Sequence, residues 1–78
     1  MTQPMIEALL QIAVAERAEA NANLNVYLQN PVGVGEHPNI IQEMNKLIGK
    51  VADANGKIEV LEKMISQINE QIANENKA

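Results

Sequence analysis

The residues best suited to chemistry fall in one short stretch, Gly33-Val34-Gly35-Glu36-His37-Pro38, which sets the single histidine of the chain beside a carboxylate. An imidazole titrates near neutral pH, so His37 next to Glu36 could donate a proton, sense pH or bind a partner. Glycines just before a helix N-terminus could present backbone N–H groups to an anion. Gly33, Gly35, Glu36 and His37 are therefore the candidate loop for a ligand or partner. The competing reading is structural: the glycines supply positive φ, the valines cap the end of the core, and His37 hydrogen-bonds a backbone carbonyl.

Catalysis has less to stand on. The chain contains no cysteine, and Ser66 lies far along the sequence from the histidine that would have to activate it. One histidine among scattered carboxylates does not provide metal-ligand spacing. The Gly-x-Gly has neither the preceding strand and third glycine of a dinucleotide fingerprint nor the lysine of a phosphate-binding loop. The expectation is a protein that is not an enzyme, with no metal and no cofactor.

Two helices must position this loop. Gln3-Pro4 marks a start, because proline is tolerated at the first helical position, where its missing N–H costs nothing. From Ile6 onward, Leu9, Leu10, Ala13, Ala20, Leu24, Tyr27 and Leu28 recur at three- and four-residue steps and share a face. Arg17 falls within the stripe, and its stem is expected to lie along the seam while its head reaches water or a carboxylate such as Asp53. The stretch from Gln29 to Pro38 holds two of the three prolines and two of the four glycines, so both helices end there. The second opens either at Pro38 or at Asn39 as an N-cap with Gln42 as its capping-box partner.

From Ile40 the apolar positions alternate in steps of four and three. Met44, Val51, Ile58, Ile65 and Ile72 take heptad position a, and Ile40, Leu47, Ala54, Leu61 and Ile68 take position d. Gly49 and Gly56 both fall at f, the outermost position. β-Branched residues at a with leucine at d lean towards parallel two-stranded pairing, from which Ala54 and Ile68 depart. Ile41 and Ile48 at e widen the apolar face of the first half, whereas Glu62, Asn69 and Asn76 narrow it in the second.

These elements predict an all-α protein, an antiparallel two-helix hairpin occupying residues 1–78 as one domain (helix about 4–28, loop about 29–38, helix about 39–75). The first helix would run roughly 37 Å and the second roughly 60 Å at 1.5 Å per residue. Folding back with Leu28 near Pro38 would set Met5 near Leu61 and Ala13 near Ala54, leaving the second helix without an intramolecular partner beyond about Met64. Ile65, Ile68 and Ile72 would then stand in water, and burying each is worth on the order of 1.5–3 kcal/mol. Ile58, Leu61, Ile65, Ile68 and Ile72 are therefore the expected oligomer interface, closing into a coiled coil or helical bundle.

Composition points the same way. At 78 residues, with no cysteine and Tyr27 as its one aromatic residue, the chain cannot build a large core or staple a small one, so oligomerisation is the aid that remains. Six basic and ten acidic residues are interspersed for a net charge of −4, which excludes the clustered cations of a nucleic-acid surface. No apolar run approaches a membrane span, and an acidic polar face without Trp or Phe disfavours a membrane-surface helix.

The stretch Asn30-Pro31-Val32-Gly33-Val34-Gly35-Glu36-His37-Pro38, followed by an amphipathic helix with a phrase like Lys57-Ile58-Glu59-Val60-Leu61-Glu62, resembles small uncharacterised helical proteins of T4-like tailed phages. The likeness covers roughly Asn30 to Lys63 and brings no activity with it. It implies a phage origin, hence the cytoplasm of an infected bacterium or the virion. Together these observations lead us to expect a non-catalytic interaction module that binds itself and an unidentified phage or host protein, as an assembly accessory or a modulator of a host factor. The rival expectation is a binder of a small anionic ligand or signalling nucleotide acting against host defence, with the Gly33–His37 loop enclosing it.

Overall fold

The computed structural model describes residues 2–29 and 39–77. Two helices, α1 (Gln3–Gln29) and α2 (Ile40–Lys77), pack side by side as an antiparallel hairpin measuring 65 × 18 × 14 Å. No strand occurs among the described residues. At α1 the carbonyl of Thr2 accepts from the N–H groups of Met5 and Ile6 at 3.1 Å, so Thr2 is the N-cap and Pro4 sits in the first turn. At α2 the carbonyl of Asn39 accepts from the N–H of Glu43 at 2.9 Å, which resolves the start in favour of Asn39 as N-cap.

The heptad reading of α2 describes the seam well. Every a and d position from Ile40 to Ile68 is buried or half-buried, while Ile41 and Ile48 at e stand exposed. The α1 stripe is narrower than its spacing implies. Ile6, Ala13 and Ala20 form its buried line, but Leu9 and Leu28 sit at its edges and remain exposed. With Ala54 and Ile58 these residues complete the buried core. Three of the five are alanines, so the backbones approach closely and each copy buries little apolar bulk of its own.

The hairpin register differs from the one a tight turn would impose. Arg17 meets Asn55, five positions beyond Lys50 (55 against 50), the residue that an Ala13–Ala54 pairing would set opposite it, and Glu16 meets Lys57. Counting from these contacts in an antiparallel pair, Ala13 lies level with positions 59–60 and Ile6 with positions 66–67, so the nearest seam residues of α2 are Ile58 and Ile65. The shift carries α1 further along α2 than expected. Ile65 and Ile68 are half-buried rather than stranded, and Ile72, 46% exposed, is the one member of that trio left uncovered.

Gly49 and Gly56 lie inside α2 on its outer side, where an added Cβ would meet nothing within 4 Å. Gly49→Ala should therefore raise stability by about 1 kcal/mol through helix propensity alone, read as a higher urea midpoint with an unchanged slope.

Candidate functional site

Glu16 and Arg17 are neighbours about 100° apart around α1 and straddle the seam. On one flank the Lys57 ammonium lies 3.4 Å from Glu16 Oε1. On the other, Arg17 Nη1 donates to Asn55 Oδ1 at 3.1 Å. The guanidinium thus ends on a neutral amide and not on Asp53, which lies on the opposite flank with Lys50 and Lys57. Both members of the Glu16–Lys57 pair are about half exposed (49% and 57%), so it fixes orientation while contributing at most about 1 kcal/mol.

The Glu16–Lys57 flank is concave. Towards the open end of the hairpin, Leu9, Ile12, Gly56, Val60 and Leu61 line an apolar groove of about 610 Å³ rimmed by Glu16 and Lys57. The middle is a polar depression with Glu19, Asn23, Lys50 and Asp53, and nearer the loop a third hollow is lined by Asn23, Val26, Tyr27, Glu43 and Leu47. Neighbouring hollows share Glu16 and Lys57 at one junction and Asn23 and Leu47 at the other, so the three form one continuous trough.

The five residues expected at an oligomer interface are spread over different environments. Ile58 is buried between α1 and α2, Ile65 and Ile68 are half-buried beneath the start of α1, Leu61 borders the apolar groove, and Ile72 projects beyond α1. Leu61, Ile65 and Ile68 are thus each half-buried, and Ile72 is exposed. The candidate loop residues Gly33, Gly35, Glu36 and His37 lie outside the described residues. No group of three His, Asp or Glu residues arranged to hold a metal occurs among the described residues, and no helix is long and apolar enough to cross a membrane.

The groove itself was not anticipated. Its signal is present in the sequence, because Met5, Leu9 and Ile12 repeat at steps of four and three as a second stripe beside the first. Val60 adds an apolar residue at heptad position c, where a solvent-facing helix carries polar ones. Compared with protein-family models, curated proteins and solved structures, the chain matches none.

Proposed function

We propose that this chain is a non-catalytic oligomerisation and protein-binding module, a helical hairpin that completes its core by associating with another chain. One observation carries the reading. Among the described residues, ten large apolar side chains stand at 41% exposure or more, and Leu9, Ile12 and Val60 of them come together with Leu61 in one groove. Exposed apolar side chains gathered in a groove with a polar rim are a common mark of an interaction surface. The resemblance of Asn30–Pro38 to small proteins of T4-like tailed phages supports a setting for the module. It would be a phage accessory, part of the virion or its assembly or a modulator of a host factor, in the infected cell.

Sedimentation equilibrium of the full chain tests the association. The expected result is a weight-average mass at least twice the 8.5 kDa of one chain at micromolar concentration. A fully helical monomer across the whole concentration range would overturn the reading.

A further inference from the structure

Asn55-Gly56, the one Asn-Gly step in the chain, lies in the middle of α2 where that helix meets α1. We propose that Asn55 is a site of spontaneous deamidation that the folded hairpin guards: the side-chain amide is lost only when α2 opens at Gly56 and Arg17 lets go. The proposal is independent of the self-association reading.

The reaction consumes only water. The main-chain nitrogen of Gly56 attacks Cγ of Asn55 and gives up its proton as the new N–Cγ bond forms; the Cγ–Nδ2 bond breaks, ammonia leaves, and a cyclic succinimide remains. Water then opens the ring at one of its two carbonyls. One opening yields aspartate in an unchanged main chain, the other isoaspartate, in which Cβ has become part of the main chain. Glycine is the successor that hinders the attack least, because it has no Cβ. Around Gly56 even an added Cβ would meet nothing within 4 Å, so the surroundings do not obstruct it either. Every other asparagine is followed by a residue with a side chain.

Three features of the fold oppose the attack. Within α2 the N–H of Gly56 donates to the carbonyl four residues back, that of Ala52. The Cα–Cβ bond of Asn55 tilts towards the start of the helix, away from the Gly56 nitrogen. From the facing helix, Arg17 Nη1 donates to Asn55 Oδ1 at 3.1 Å and holds the amide on the seam. Glycine is, after proline, the poorest helix former, so Gly56 is a place where the ladder of α2 opens readily. The rate of loss is then the intrinsic rate multiplied by the fraction of time this segment is open. The two products part ways in their effect. Aspartate at position 55 offers Arg17 a carboxylate in place of an amide. Isoaspartate lengthens the main chain beside Gly56 and Lys57, which line the apolar groove, and Lys57 also holds Glu16, so this form breaks the helix at the groove wall.

Incubating the full chain at mildly alkaline pH, folded or in guanidinium chloride, and mapping tryptic fragments by mass tests the proposal. The diagnostic fragment is Val51–Lys57, released by cleavage after Lys50 and Lys57. In denaturant it should gain one unit of mass and resolve into aspartyl and isoaspartyl species, whereas in the folded chain the same conversion should run slower by roughly 10-fold or more. Arg17→Ala should speed the folded reaction by about 2- to 10-fold and leave the denatured rate unchanged. Gly56→Ala, for which there is open space, should suppress conversion in both states. Equal rates in folded and denatured chains would show that the helix is no guard, and an unchanged folded rate in Arg17→Ala would remove α1 from it. A folded chain still intact at Asn55 after about 100 half-times of the denatured reaction, or one that deamidates first at another asparagine, would overturn the assignment of the site.

Discussion

Replacing Ile6 by alanine is expected to cost about 2–4 kcal/mol, the largest loss available to a single truncation in this chain. Among the described residues Ile6, 1% exposed, is the one large side chain that is fully buried; Ile58 is 7% exposed. Its place across from Ile65 makes it the peg that holds the start of α1 against α2. The first turn is capped independently through the Thr2 carbonyl, so the helix itself should persist while its packing loosens. Against a total of roughly 4–12 kcal/mol for a domain of this length, that is a large fraction. Urea unfolding followed at 222 nm checks it, with variant and natural chain at equal concentration so that any association affects both alike. Gln11→Ala, at an exposed position, should change stability by no more than about 0.5 kcal/mol. Equal effects at positions 6 and 11 would show that α1 does not pack on α2 through Ile6.

Ala20→Leu is expected to be nearly as damaging, for the opposite reason. Ala20 is 2% exposed and Ala54, also 2% exposed, lines the same hollow beneath the seam. At 2% exposure the Ala20 methyl is covered by its neighbours, so three added carbons press on them, and such overpacking costs about 1–3 kcal/mol. Leucine is a good helix former, so propensity cannot account for the loss. Ala22→Leu, two residues away on the exposed side, isolates the packing effect and should stay within about 0.5 kcal/mol of the natural chain. Thermal melts should place the two variants several degrees apart, and coincident melts would mean that the helices are not in close contact at Ala20.

How much of this was legible in the residues varies by element. Helix existence followed from unbroken three- and four-residue spacing, and the seam of α2 followed from its heptads, because burial along a straight helix obeys a fixed period. A register anchored on the loop does not follow, because residues 30–38 are long enough to allow several alignments; the Arg17–Asn55 and Glu16–Lys57 contacts show which one forms. The Arg17 head was assigned to a carboxylate on grounds of charge, whereas the same shift brings Asn55 to it. The groove is not evident from the main stripe because that stripe takes in Leu9 with Ile6 and leaves out Met5 and Ile12, although Leu9 is 42% exposed and Ile6 is buried. Residues 33–37, where chemistry was sought first, fall outside the described part of the chain.

The pairing of α1 with α2 also sets an order in time. Contacts near the loop, such as Tyr27 beside Glu43, close a short length of chain, whereas Ile6 and Ile65 are separated by most of it. The entropy of closing the loop grows with that separation. Closure that begins near the loop is therefore expected to proceed towards the open end, and the groove lined by Leu9, Ile12 and Val60 is complete only when that end has closed.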